Sequence, residues 1–192
     1  MATVAFHSAG RNDGRLYRAV VRGDRLAVVE ELRRGGIDPD LTIQCKTLLH
    51  HAGERGFKDI ARLLIEYGAD VNRTYGKCSR SLLHFAAATY RYGFASVLLE
   101  SGANPAPRTS SKATPLHFAA RSGQSYLISL LLDCGAEINV QDSLGRTPLY
   151  LAELNGHVNL VQRLISSNGK SLMKNRKGIP VRKVTEDLGL DI

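Results

Sequence analysis

The chain has 192 residues, of which 43% are hydrophobic and 23% charged, with a formal net charge of +8. That length fits one elongated domain better than two globules, the apolar share excludes a wholly disordered chain, and the cationic excess fits ordinary solubility or, depending on where the charge falls, an acidic partner surface or nucleic acid. No apolar run approaches the ~18 residues that a membrane-spanning helix needs, and the three cysteines, Cys45, Cys78 and Cys134, form no C-x-x-C pair, which fits a reducing intracellular setting rather than a disulfide framework.

Residues 1–11 read as a lead-in without the charged start and apolar stretch of a secretory signal. A first helical pair is expected over residues 12–40. Leu16 and Ala19 lie at helical spacing, Gly23 makes a turn, and Val28, Val29 and Leu32 build a second helix. The charges Arg15, Arg18, Arg22, Asp24, Arg25, Glu30, Glu31, Arg33 and Arg34 suit a wet outer face at the end of an array. Further units are expected over residues 41–72, 73–106, 107–139 and 140–169. The third is the least regular, because Tyr90 stands where its neighbours have Gly56, Gly123 and Gly156, and because the segment from Arg73 to Arg80 carries one extra residue. Residues 170–192 read as a C-terminal half-unit, with Val184 and Leu188 placed to cover the last full one.

The stretch from Thr114 to Asn139 shows the unit most clearly. Thr114 is a good helix N-cap, and Pro115 occupies the first helical position, where its missing N–H costs nothing. Gly123 ends this short helix, an apolar helix follows, and Gly135 supplies a left-handed C-cap. The opening phrase recurs as Thr47-Leu48-Leu49-His50, Ser81-Leu82-Leu83-His84, Thr114-Pro115-Leu116-His117 and Thr147-Pro148-Leu149-Tyr150, in steps of 34, 33 and 33 residues. Self-similarity at this period with a TPLH-like phrase resembles the ankyrin repeat family over nearly the whole chain. The resemblance implies an all-α solenoid of stacked helix-turn-helix units with β-hairpin fingers, about five repeats and a C-terminal half-repeat.

The resemblance also implies that His50, His84 and His117 are structural. In the family this histidine hydrogen-bonds the Thr hydroxyl and tethers neighbouring loops. His157 sits at a repeat turn, and His51 is expected as a partly buried residue at a stack interface. No H-E-x-x-H, P-loop, dinucleotide or nucleophile-elbow phrase is present, so catalysis, a metal and a cofactor are not expected.

What remains is surface. In the family the partner usually binds the concave side, made by fingertips and the outward positions of the first helices. Mapped onto this chain, that side holds Lys46, Lys77, Arg80, Lys112 and Arg146 on fingers, and Arg55 and Arg121 on helices. Arg73 and Arg108 stand at its edge, Tyr75, Tyr90 and Tyr92 near its middle, and Ile43 at a fingertip. Arg and Tyr often dominate interface energies. The expectation is a monomeric adaptor, inhibitor or substrate-recognition scaffold of the cytoplasm or nucleus that binds an acidic segment of another protein. The alternatives are nucleic-acid or phosphoinositide binding by the same cations, and a targeting domain of a longer enzyme such as a ubiquitin ligase. A second basic cluster, Lys170, Lys174, Arg176, Lys177, Arg182 and Lys183, is expected on the cap, and Ser110 and Ser111 stand between Arg108 and Lys112 as candidate phosphorylation sites.

Overall fold

The computed structural model describes residues 13–168. The lead-in, the C-terminal cap and its basic cluster lie outside the described residues. Ten helices and two short hairpins follow in chain order: α1 Asp13–Arg22, α2 Arg25–Arg34, β1 Thr42–Ile43, β2 Lys46–Thr47, α3 Leu48–Arg55, α4 Lys58–Glu66, β3 Thr74–Tyr75, β4 Arg80–Ser81, α5 Leu82–Ala88, α6 Tyr92–Glu100, α7 Pro115–Arg121, α8 Ser125–Asp133, α9 Pro148–Leu154 and α10 Val158–Ser166. None of the helices exceeds 10 residues. Helices this short are marginal alone, so they persist by burying one face against neighbours.

The neighbours are other copies. The odd-numbered helices pack in a row, α1 on α3, α3 on α5, α5 on α7 and α7 on α9, and α2, α4, α6 and α8 form a second row behind them. The 33-residue step becomes a set of core ladders. Leu16, Leu49, Leu83, Leu116 and Leu149 are each at most 2% exposed, and Ala19, Ala52, Ala86, Ala119 and Ala152 are all buried beside them. A fully buried leucine contributes roughly 1.5–3 kcal/mol, so each ladder ties successive repeats together.

One ladder position shows how closely the rows approach. Val20, Gly53, Ala87, Ala120 and Glu153 share a register, and a Cβ on Gly53 would lie 2.4 Å from Phe94 Cε1. Phe94 holds the register of Ile60, Leu127 and Leu160, so the larger ring is accommodated by the missing side chain opposite. A different ladder, Leu64, Leu98, Leu131 and Leu164, begins with Glu31. The expectation that Glu31 faces water is corrected here: it is 8% exposed, because its position 33 residues before Leu64 lies on the packing face. Arg34 donates to one of its oxygens, while Oε2 is buried without a hydrogen-bond partner among the described residues.

The helix-to-helix turns are equally regular. Gly56, Gly123 and Gly156 take left-handed φ values of 75°, 71° and 72°, and Tyr90 adopts φ 59° in their place. That conformation costs a non-glycine residue stability, and the Tyr90 hydroxyl donates to Ser122 O at 2.7 Å in the next repeat. The residue after each turn reaches back over the previous repeat. The Phe57 ring covers Gly23, Arg91 Nη2 donates to Glu54 O at 2.9 Å, Gln124 Nε2 donates to Ala87 O, and His157 Nε2 donates to Arg121 O at 2.9 Å.

At the opposite end of the helices stand the fingers. β1 pairs antiparallel with β2, Thr42 opposite Thr47, and β3 with β4, Thr74 opposite Ser81. The fourth and fifth fingers are closed by Thr109 N–H to Ala113 O at 2.9 Å and Asp142 N–H to Arg146 O at 3.1 Å, each returned by the Ala113 or Arg146 N–H to the Thr109 or Asp142 side chain. Ile43 does not present itself to a partner as expected. It is 6% exposed, because Gln44 and Cys45 turn the tight hairpin with φ of 54° and 62° and fold it inward.

Candidate functional site

The histidines are the residues most capable of chemistry, and their geometry commits them to structure. Ser81 N–H and Oγ both meet His84 Nδ1, at 3.1 and 2.9 Å, and His84 Nε2 donates to Ala113 O of the next finger at 3.0 Å. His117 repeats this with Thr114 N–H, Thr114 Oγ1 and Arg146 O at 3.1, 2.9 and 3.0 Å. A backbone N–H cannot accept, so Nδ1 must carry a lone pair and the ring must be neutral. Burial presses the same way: it holds His84 down to about 4 and lowers His117 from the ordinary value.

His50 starts the same pattern, with Thr47 Oγ1 at 2.7 Å from Nδ1, but its buried Nε2 has no hydrogen-bond partner among the described residues. The third finger is the cause. Tyr75 pairs with Arg80 five residues on, whereas Thr109 and Asp142 close their fingers four residues on. The carbonyl that His84 and His117 use is displaced, and the ring of Tyr75 stands edge-on to His50 with centroids 4.3 Å apart. His51 is fully buried, not partly so: Nε2 donates to Ile43 O of its own finger at 3.2 Å, and Tyr17 of the preceding repeat packs on it. Among the described residues, no group of His, Cys, Asp and Glu is arranged to hold a metal ion.

The predicted surface residues divide along the array. In the second repeat and at Arg73, where the third begins, the cations have internal partners. Lys46 pairs with Glu54, and Arg73 lies 3.6 Å from Asp40. Arg55 reaches only its own helix, at His51 O. Tyr75 is half-buried on His50. Tyr90 and Tyr92, 66% and 48% exposed, sit at the α5–α6 turn, away from the fingers. From Lys77 onward the balance changes. Arg108 donates to Gln141 O at 2.6 Å, linking two fingers, and Arg146 is clamped to Asp142 at 2.7 Å. Lys77, Arg80, Lys112 and Arg121 are exposed and form no ion pair among the described residues.

Three of the predicted cations meet in one place. Arg80, Arg121 and Arg146 line a half-open groove of about 380 Å³ with Ser111, His117, Phe118, Asp142, Leu151, Leu154 and Asn155. Its finger wall is stitched by Ser110 N–H to Cys78 O at 3.1 Å and Ser143 N–H to Ser111 O at 2.9 Å. The Arg80 guanidinium stands 5.4 Å from the centroid of the Phe118 ring, which is a favourable cation–π distance. Burial alone would raise the carboxyl of Asp142, but hydrogen bonds from the Arg146 guanidinium and from the Arg146 and Leu144 N–H groups hold it below its ordinary value. Asp142 is therefore an anion already engaged by Arg146.

Sequence reasoning did not single out Phe118 and Leu151 for this surface. Both follow the cap phrase at the same step as Phe85, and an apolar residue in that place reads as core; only the packing shows that its ring is left half-open beside two cations. None of the helices among the described residues is long and apolar enough to cross a membrane.

Comparison with known proteins agrees with this architecture. A segment of 59 residues, 30% of this chain, is 39% identical to an ankyrin repeat protein of fowlpox virus, covering 9% of that relative. A segment of 93 residues, 48% of this chain, is 39% identical to the E3 ubiquitin-protein ligase Ufd4 of Drosophila melanogaster, covering 3% of it. The chain thus spans less than a tenth of the length of either relative. A family model for ankyrin repeats in three copies matches residues 16–109 and again 83–176. Those matches, the 33-residue ladders and the histidine-tethered fingers agree: the chain belongs to the ankyrin repeat family.

Proposed function

We propose that this chain is a non-catalytic interaction module that holds an acidic segment of a partner protein against its concave face, as an adaptor, inhibitor or substrate-recognition scaffold. Ankyrin repeats are in general protein-interaction modules, which supports the coarse reading. The observation that carries the finer one is charge accounting along the face. Among the described residues, Lys77, Arg80, Lys112 and Arg121 are exposed cations that form no ion pair; they lie on the third and fourth repeats, and Arg80 and Arg121 line the half-open groove. Unpaired surface cations steer acidic partners and penalise basic ones. The same reading places the chain as a monomer in the cytoplasm or nucleus.

The test is affinity capture with the wild-type chain and with the triple variant K77E/R80E/R121E. Capture of protein partners is lost in the variant, while far-UV circular dichroism stays unchanged because all three side chains are exposed. Persistence of capture would falsify the assignment of the face, and capture abolished by nuclease treatment would replace a protein partner with nucleic acid.

A further inference from the structure

The groove shared by the third, fourth and fifth repeats contains more than charge. One wall is a finger wall bearing Arg80, Ser111 and Arg146, locked by backbone hydrogen bonds between adjacent fingers. The other is a helix wall with Phe118 and Arg121 on α7 and Leu151 and Leu154 on α9. Leu154 is 58% exposed, and Phe118 is half-open at its side, so the two together leave apolar surface open on this wall. Of the carboxylates described, Asp142 alone lines this space, and its oxygens are taken by the Arg146 guanidinium and two backbone N–H groups. Arg80 and Arg121 are therefore left as excess cations next to an apolar floor.

We infer that this groove is a two-part socket for one extended peptide, receiving a carboxylate side chain at Arg80 and Arg121 and an apolar side chain on Phe118, Leu151 and Leu154. The inference rests on the proposed interaction role and narrows it to a partner chemistry. A carboxylate accepts from guanidinium groups in a geometry that a point charge does not reproduce, so the acid half gives orientation. The apolar half removes Leu154 and the Phe118 edge from water, which a purely acidic segment cannot do. A space of about 380 Å³ falls at the small end of ligand sites, which run from roughly 300 to 1,000 Å³. It suits side chains, not a whole helix or strand pair. The rigid finger wall keeps the ordering cost of binding low.

The experiment uses three fluorescein-labelled octapeptides and the full chain, read by fluorescence polarisation. The first carries an Asp-Glu pair with Leu two residues later, the second replaces that Leu by Ser, and the third replaces the acids by Asn and Gln. The first is expected to bind about tenfold or more tighter than either of the others. L154S lowers binding of the first peptide to the level of the second and so removes the preference for Leu, whereas R80A and R121A remove the preference for the acids. F118A adds a second apolar readout, with circular dichroism confirming that it folds. Equal binding of the first and second peptides overturns the socket but leaves the interaction role standing. Failure of both acidic peptides to exceed the third overturns the socket and the proposed role together. Displacement of the first peptide by an oligothymidylate of equal charge, as effectively as by unlabelled peptide, also overturns the socket.

Discussion

A single imidazole nitrogen decides much of how one repeat holds the next. In His84 and His117 the ring bridges the cap of its own helix and a carbonyl of the following finger; accepting the cap N–H at Nδ1 demands the neutral ring, whereas either form can donate from Nε2. His50 is buried in the same register but makes no second bond among the described residues, because the third finger carries an additional residue. Burial lowers His50 and His84 to about 4 and also depresses His51 and His117. The unfolded chain titrates near the ordinary value of 6.5, so below that pH it takes up protons that the folded chain refuses. Stability is therefore fully present above about pH 7 and is lost as the pH falls from about 6.5 toward 4. Thermal melting followed across that window should show a steep fall in Tm with acidification and a flat region above it. In His84→Gln the fall should be shallower, since one of the depressed groups is gone, although the variant starts lower at neutral pH through loss of the Ser81 and Ala113 bonds. A Tm independent of pH between 7 and 4.5 would contradict the neutral-ring geometry.

At the scale of the helix, adjacent repeats are matched by volume. Gly53 on α3 faces Phe94 on α6, where the next two repeats have Ala87 and Ala120 in the first register and Leu127 and Leu160 in the second. Glycine in a helix costs about 0.5–1 kcal/mol against alanine, so an alanine here looks favourable from propensity alone. The structure reverses that expectation, because the added Cβ would sit 2.4 Å from Phe94 Cε1 in a close-packed core. Overpacking of this kind costs about 1–3 kcal/mol. G53A should therefore lower stability in urea denaturation, while G53A/F94L should recover it, since the pair then repeats the arrangement one step along the array. If both variants behave alike, the two residues are not coupled. The helix pairs, caps and turns were legible before any coordinates, because the 33-residue step writes the same propensities five times. Exceptions were legible as exceptions, such as Tyr90 in a glycine turn, but their consequences were not. Glu31 looked solvent-facing because charge correlates with exposure, yet its register with Leu64 overrides its polarity.

For the molecule as a whole, a stacked array distributes function along its length without a single centre, and what differentiates its parts is which charges remain available. Sequence alone places Lys46, Arg121 and Arg146 on one face, with Arg73 and Arg108 at its edge, and does not separate engaged cations from available ones. Periodicity places residues on that face but says nothing about the partner of each side chain, and partners lie 8 to 33 positions away: Glu54 on α3 for Lys46, Asp40 for Arg73, Gln141 O for Arg108. Exposed ion pairs of this sort contribute about 0–1 kcal/mol to stability, so removing them is cheap for the fold, but an internally paired cation offers little to an incoming acid. Binding should accordingly be polarised toward the third to fifth repeats. In titrations with a fluorescein-labelled Asp- and Glu-containing octapeptide, K46A/R73A should bind within about twofold of wild type, and R80A/R121A should lose about tenfold or more. The contrast should shrink in 0.5 M salt, where screening over ~5 Å weakens the exposed guanidinium contacts first. Equal losses in the two double variants would mean that the whole face acts as a diffuse cationic strip, with the intramolecular pairs opening on contact and no local excess at the arginine groove.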